Sequence, residues 1–346
     1  MTEEAGLLDG AVPPRENTVL HGHEEACSFL ARAYRTGKIH HAVLIEGPQG
    51  IGKATLAFRF ANHVLAHADP AAAPDLLGDP DPAGAVYRQI VSGASHHLIH
   101  LTRPTDEKTG RVKSAITVDE VRRIGRFFGQ TSGTGNWRIV IIDPADDLNR
   151  AAANAVLKML EEPPRNALFL VVSHAPGRLL PTIRSRCLPL RLHALSDREL
   201  EAALGHLGFS AGQAGSQFDA VIARAGGSVA RALMMLRYGG LDIAAGFDAV
   251  VRAGPLAGRA DMHQLADTLA ARDRDTAYQF FKETVAEWVE KRARETALGG
   301  NPAKGAELAG LASKIEQDLM EADAYNLDRK QTVLSVFSAL FAGGAA

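Results

Sequence analysis

A glycine-rich run that ends in lysine is the part of the sequence best suited to bind phosphate. Gly47, Gly50, Gly52 and Lys53 lie in the heptapeptide GPQGIGK, which follows the apolar run AVLIE. Glycines let successive backbone N–H groups curl around phosphate oxygens, and a lysine and a helix N-terminus add positive charge. The spacing therefore predicts a phosphate loop between a buried strand and a helix that begins at Lys53.

Two positions near this loop lack groups that ATP hydrolysis requires. Ala54 stands where a Ser or Thr hydroxyl would ligate Mg²⁺, and Thr55 lies one residue late, about 100° farther around the helix. Asp143, at the end of the apolar run RIVII, suits a metal ligand, but Pro144 follows where a glutamate would activate water. The sequence predicts a degenerate nucleotide site that requires no cofactor and binds phosphate or nucleotide weakly at most.

Alternating strand and helix patterns position these residues. Because parallel strands need helical crossovers, the first 195 residues predict an open α/β sheet, and from Ser196 onward the pattern predicts helices only. We expect Asp146 and Asp147 to cap or precede a helix. The predicted strands are 42–46, 97–102, 138–142, 167–172 and, at an edge because of Pro189, 187–192; the predicted helices are 24–36, 53–66, 117–128 and 149–160.

Six segments of the chain, taken in order, are distinctive: 14–26, 47–59, 116–128, 157–164, 183–187 and 326–340. Together they resemble the clamp-loader branch of the AAA+ proteins, and within it the delta prime family of bacterial DNA polymerase III subunits. The resemblance implies that Arg186, flanked by Ser185 and Cys187, is an arginine finger that enters the ATP site of a neighbouring subunit. A guanidinium is permanently charged and binds phosphate oxygens in pairs, which suits this role. The alternative interpretation is an ordinary surface salt bridge.

The resemblance also implies the domains and partners of the chain. An AAA+ phosphate-loop α/β domain over residues 1–195 is expected to precede a small helical lid, 196–244, and a C-terminal all-helical collar, 245–346, which assembles with other subunits. The implied partners are the gamma/tau ATPase and delta subunits and, through the complex, the sliding clamp and primed DNA. The chain would be a non-hydrolysing component of the DNA polymerase III holoenzyme, a DNA-directed DNA polymerase.

Two departures from the family pattern concern zinc and the lid. Many relatives hold zinc with four cysteines, whereas residues 66–85 here are rich in Ala, Pro and Asp without cysteine and are predicted to form a surface loop. His96, His97 and His100 follow without other ligands, so we expect no zinc and no other metal. In the lid, Ala230 stands where active relatives carry an arginine that senses the γ-phosphate.

The composition limits other classes of function. Lys and Arg number 38 and Asp and Glu number 40, a formal charge of −2, so nucleic-acid contact must come from a local patch or from partner chains. The two cysteines, Cys27 and Cys187, can form neither a disulfide framework nor a four-cysteine zinc site, which favours a reduced, cytoplasmic protein. The sequence shows no signal pattern and no long apolar run, so we expect no membrane contact.

Two alternative functions fit parts of the same sequence. An active AAA+ or phosphate-loop ATPase would show Mg²⁺-dependent turnover by the isolated chain, and the missing hydroxyl and glutamate argue against it. A simple DNA-binding module would show a salt-dependent affinity for DNA. Its candidate contacts are Lys108, Arg111 and Lys113, which the sequence places in a basic loop.

Overall fold

The computed structural model describes residues 7–106, 112–129, 136–210, 212 and 215–345. Its N-terminal part is built on a five-stranded parallel sheet with the strand order β2-β3-β4-β1-β5. The predicted strands are all present, and β5 lies at an edge of the sheet as expected. The strands are β1 (Ala42–Glu46), β2 (Leu98–Leu101), β3 (Arg138–Ile142), β4 (Ala167–Ser173) and β5 (Leu188–Arg191).

Helices cover both faces of the sheet. Ile139 and Ile141 of β3 belong to one apolar core, and Val140 and Ile142 belong to a second. Because side chains alternate across a strand, the two cores lie on opposite faces, and the predicted α/β class is confirmed. The helices are α1 (Glu24–Arg35), α2 (Lys53–Ala66), α3 (Ala85–Val91), α4 (Val118–Gly129), α5 (Arg150–Glu161), α6 (Pro181–Arg184), α7 (Asp197–His206), α8 (Ser216–Ala225) and α9 (Val229–Arg237).

The stretch 66–85 is only partly the surface loop that its composition predicts. Ala73 and Leu77 are 2% and 6% exposed and pack in the core beside α2. A short 3₁₀ turn, Pro70–Ala72, leads into this contact, and the Asp69 side chain accepts a hydrogen bond at its start. The average composition of the stretch therefore did not predict that Ala73 and Leu77 are buried in the core.

The second part of the chain is helical wherever the structure describes it. Its core contains Phe247, Phe281 and Phe337, whose ring centroids lie 5.7 to 6.2 Å apart. One of its helices is interrupted at Gly254, where φ is 76°. The helices are α10 (Gly240–Ala257), α11 (Arg259–Ala270), α12 (Asp275–Leu298), α13 (Pro302–Ala324) and α14 (Arg329–Ala342).

The chain divides into two compact units, Met1–Ala230 and Arg231–Ala346. The boundary falls within α9, and positions 244 and 245 both lie within α10. The further division into a lid and a collar stays a prediction. In the described part of the chain, no helix has the length and apolar character needed to cross a membrane.

Truncation of a central core residue should destabilise the first unit. Phe169 of β4 is fully buried, and its ring lies 5.8 Å from that of Phe128 on α4. We expect Phe169→Ala to lower the free energy of unfolding by about 3–5 kcal/mol, because it leaves a cavity between sheet and helix. Urea unfolding followed by Trp137 fluorescence in a Trp288→Phe background reports on this unit.

The matched control is Phe29→Ala on α1. Phe29 is 45% exposed although its spacing predicts a buried position, because Ala26, Leu30 and Tyr34 form the buried face instead. Its truncation should change the free energy of unfolding by about 0.5 kcal/mol or less. Equal losses for the two phenylalanine variants would contradict this description of the core.

Candidate functional site

The phosphate loop holds its own lysine. The Lys53 ammonium donates a hydrogen bond to the Gly47 carbonyl at 2.7 Å and another to the Pro48 carbonyl, and the residue is only 3% exposed. Burial lowers the pKa of Lys53 from 10.5 to about 8, while the charges of Asp143 and Asp146 act in the opposite direction. Since loop carbonyls already satisfy the ammonium, a phosphate would have to draw it away from them.

The segment 228–230, at the start of α9, braces the loop from one side. The Ser228 hydroxyl donates to the Gln49 carbonyl at 2.8 Å, and the Val229 N–H donates to the Gly50 carbonyl at 2.9 Å. Gly50 has a φ of 75°, and a Cβ there would lie 2.5 Å from both Ala230 Cβ and Ser228 Oγ. Glycine is required at this point because the backbone is left-handed and the segment approaches so closely.

Two other segments hold the loop as well. The ring of His23, at the start of α1, lies with Nε2 2.8 Å from the Ile51 carbonyl oxygen. A Cβ at Gly47 would collide with the carbonyl oxygen of Leu192, just after β5, and one at Gly52 would lie 2.9 Å from the Leu20 side chain. The loop backbone is therefore held by protein contacts rather than left open.

The residues around the loop do not fit a complex of Mg²⁺ with ATP. Ala54 occupies the second position of α2 and offers no hydroxyl, while Thr55 is buried at 8% exposure. Asp143 follows β3, with its carboxylate 3.8 Å from the Nε2 atom of His100, and Pro144 comes next. Within the residues that the structure describes, no cluster of three or more His, Cys, Asp or Glu side chains suits a metal ion.

Asp146 binds the end of a neighbouring strand rather than capping a helix. Its carboxylate accepts hydrogen bonds from the Ser173 hydroxyl at 2.8 Å and the His174 N–H at 2.6 Å. The N-cap of α5 is Asn149, whose side chain accepts from the Ala152 N–H at 2.9 Å. The aspartate does precede that helix, as expected, but its contacts lie at the carboxyl edge of the sheet.

His174 completes a polar cluster beside the loop that the sequence analysis missed. It follows β4, and burial and the charge of Lys53 lower the pKa of its imidazole far below the ordinary value. The ring is therefore neutral at pH 7, although Lys53, Asp143 and Asp146 all lie near enough to affect its pKa. The sequence did contain one indication of this role, because His174 directly follows a buried strand, where residues at the carboxyl edge of a parallel sheet line the binding site.

Arg186 lies just beyond α6, with 36% of its side chain exposed. One guanidinium nitrogen lies 2.7 Å from a carboxylate oxygen of Glu161, and another donates to the Thr182 carbonyl at 3.0 Å. The Ser185 hydroxyl also donates to the Thr182 carbonyl, at 3.1 Å. An exposed ion pair contributes about 1 kcal/mol or less, so Arg186 can exchange Glu161 for a phosphate at little cost.

Cys187, the next residue, has a packing role. It is 7% exposed and belongs to the core on the α4–α5 face of the sheet. Burial raises the pKa of its thiol to about 12, so the sulfur carries its proton at pH 7 and is a poor nucleophile. Cys27 is half-buried and packs against the other core, and both cysteines are free.

The remaining candidates contribute little to this site. Arg231, next to Ala230, pairs with Glu287 and lies 5.1 Å above the ring of Phe280, so it is engaged within the second unit. Lys108 and Arg111 fall outside the described residues. Lys113 is exposed, and its backbone N–H donates to the Pro104 carbonyl at 2.9 Å.

The buried lysine gives a testable titration. We expect the lysine side-chain NMR signal that disappears in Lys53→Met to titrate near pH 8. Since the unfolded chain keeps the proton up to about pH 10.5, it binds more protons than the folded chain between these values. The contribution of Lys53 to the free energy of unfolding therefore rises with pH across that window. A midpoint above about pH 10 would contradict the burial of the ammonium.

Comparison with known proteins gives relatives in one functional group. The chain is 37% identical over 151 residues to DNA polymerase III subunit delta prime of Pseudomonas aeruginosa, an alignment that covers 42% of this chain and 41% of the relative. It is 31% identical over 186 residues to subunit tau of Escherichia coli, covering 54% of this chain and 27% of the relative. The chain thus matches less than half the length of either relative.

A solved structure and a family model extend the comparison. The gamma subunit-related protein of Thermotoga maritima shares 14% identity with a TM-score of 0.43, covering 92% of this chain and 98% of that one, a likeness too distant to indicate function. The family described as DNA polymerase III, delta subunit, matches residues 22–196, just over half of the chain. Together with the delta prime relative, this match shows that the chain belongs to the delta prime clamp-loader family of DNA polymerase III subunits.

Proposed function

We propose that the protein is the non-hydrolysing delta prime subunit of a cytoplasmic DNA polymerase III clamp loader. Its partners are the gamma/tau and delta subunits, and through their complex it serves the loading of the sliding clamp onto primed DNA. Its own contribution to ATP hydrolysis is Arg186, which enters the ATP site of the adjacent ATPase subunit. The exposed guanidinium, held beside Glu161 within a family motif, is the observation that carries this proposal.

The closed phosphate loop supports the non-hydrolysing role. Lys53 is occupied by loop carbonyls, Ala54 offers no ligand for Mg²⁺, and Pro144 has no proton acceptor in its side chain. The brace from Ser228 and Val229 opposes rearrangement of the loop around a triphosphate. A site of this kind serves as a rigid support more readily than as a catalyst.

The chemistry of arginine supports action on a neighbouring subunit. A guanidinium that approaches a transferring γ-phosphate offsets the charge that develops on its oxygens, which is worth about 10³–10⁵ in rate when the arginine comes from another chain. The ion pair between Arg186 and Glu161 is open to solvent on both sides, so it adds about 1 kcal/mol or less to the stability of this fold. Cys187, in contrast, anchors the adjacent backbone in the core.

The arginine can be tested in the reconstituted complex. We expect Arg186→Ala to leave assembly with gamma/tau and delta intact and to lower clamp-stimulated ATP turnover by about 10³-fold or more at the site it serves, because the transition state loses the charge that Arg186 supplies. Size-exclusion chromatography monitors assembly, and phosphate release monitors turnover. Arg198→Ala, which removes an exposed arginine on α7, is the matched control and should change neither.

ATP turnover at the wild-type rate in an assembled Arg186→Ala complex would refute the proposal that Arg186 acts as an arginine finger. Salt-dependent DNA binding by the isolated chain would favour the alternative of a simple DNA-binding module instead.

A single repair of the phosphate loop should not create an ATPase. We expect Ala54→Ser to leave the isolated chain without measurable Mg²⁺-dependent phosphate release, because Pro144 still supplies no base and Lys53 is still bound to the loop. A coupled phosphate assay at millimolar ATP is the measurement. The double variant Ala54→Ser/Lys53→Met is its control, and turnover that the single variant has and the double lacks would overturn this account.

A further inference from the structure

Asp146 fixes the point at which the chain leaves β4. Its carboxylate accepts hydrogen bonds from the Ser173 hydroxyl at 2.8 Å, the His174 N–H at 2.6 Å and the Ala175 N–H at 3.3 Å. Ser173 is fully buried, so water competes little for the bond from its hydroxyl. Hydrogen bonds to a charged acceptor are roughly twice as strong as neutral ones, and here they converge on one side chain.

The next residue, Asp147, pairs with Arg103. Its carboxylate lies 3.0 Å from the Nε atom of Arg103. Burial raises the pKa of Asp147, and the charges of Arg103 and, to a smaller extent, Arg178 lower it. Arg178 ends the 3₁₀ turn Pro176–Arg178, directly after the residues that Asp146 binds. Asp146 thus binds the residues that lead directly into this turn.

The segment that follows is bonded within itself as far as Arg186. The Arg178 N–H donates to the Ala175 carbonyl at 2.9 Å, and the Arg184 side chain reaches back to the Pro176 carbonyl at 3.3 Å. Arg186 donates to the Thr182 carbonyl one turn earlier, at 3.0 Å. These hydrogen bonds connect the residues after β4 to the residues around Arg186.

We propose that Asp146 is a positioning residue for Arg186. Its carboxylate fixes the backbone conformation just after β4, and the hydrogen-bonded segment that follows determines where the guanidinium lies. The inference rests on the proposed function, in which Arg186 acts on the ATP site of a neighbouring subunit. It gives an acidic residue of the degenerate nucleotide site a role in the reaction of the partner.

A double-mutant cycle in the reconstituted complex tests this role. Wild type, Asp146→Asn, Arg186→Ala and the double variant are compared for assembly, kcat and KM for ATP. We expect Asp146→Asn to lower kcat about 10- to 100-fold with KM unchanged, because misplacement of the guanidinium affects the transition state. The double variant should be no slower than Arg186→Ala alone, since both changes act through one group.

A conservative variant and a matched control complete the experiment. Ser173→Ala removes one donor to Asp146 and should lower kcat by a smaller factor, again without effect in the Arg186→Ala background; it carries the test if Asp146→Asn fails to assemble. Asp119→Asn removes the charge of an exposed carboxylate that pairs with Arg122 on α4 and should leave kcat unchanged.

The outcomes separate the two proposals. If Arg186→Ala lowers kcat but Asp146→Asn leaves kcat unchanged, the positioning role is wrong and the proposed function stands. An equal loss from Asp146→Asn with and without Arg186 also refutes the positioning role, because it indicates a general structural effect. If Arg186→Ala leaves kcat unchanged in an assembled complex, the proposed function of Arg186 is wrong, and the positioning role that rests on it is wrong as well.

Discussion

The hydrogen bonds from the Lys53 ammonium to the carbonyls of Gly47 and Pro48 are the interaction on which this site depends. In a working phosphate loop that charge is directed at the β- and γ-phosphates. Here it is buried in the loop, and the desolvation that lowers its pKa is offset in part by Asp143 and Asp146. The positive charge that would attract a nucleotide is thus neutralised within the chain itself.

That internal closure changes what the surrounding residues can do. With the lysine occupied, Asp146 accepts hydrogen bonds from the exit of β4. Ser228 and His23 contact the loop backbone, and so join the segments before α9 and α1 to the carboxyl edge of the sheet. The degenerate nucleotide site thus connects several segments of the first unit, which agrees with the non-hydrolysing role proposed above.

Most of the first unit could be predicted because strong local patterns agree with its fold. Strand runs such as RIVII carry β-branched residues on both faces, and Pro189 marks an edge strand. The missing hydroxyl at Ala54 and the missing base at Pro144 are also visible in the sequence, because each depends on residue type alone. The glycine-rich loop after β1 and Asp143 after β3 were both predicted to follow strands of one parallel sheet, and the structure has both strands in that sheet.

The remaining features depend on contacts between distant residues, which no local pattern encodes. Glu161 and Arg186 meet because α5 and α6 end near each other, and Ser228 lies 179 residues from its partner Gln49. Asp146 resembled a helix-capping residue because its hydrogen-bond donors, at the end of β4, come 27 or more residues later. Likewise, the helical spacing favours a buried Phe29 and the loop composition favours an exposed Leu77, but the structure shows the reverse. Tertiary packing decides which of these side chains is buried.

The most direct test of the central claim is phosphate release from Mg²⁺–ATP by the purified wild-type chain with no partner present. A loop closed on its own lysine predicts a rate equal to that of Lys53→Met under the same conditions. Turnover well above that variant, dependent on Mg²⁺ and saturable with ATP, would mean that the loop opens and catalyses hydrolysis, and would contradict the account.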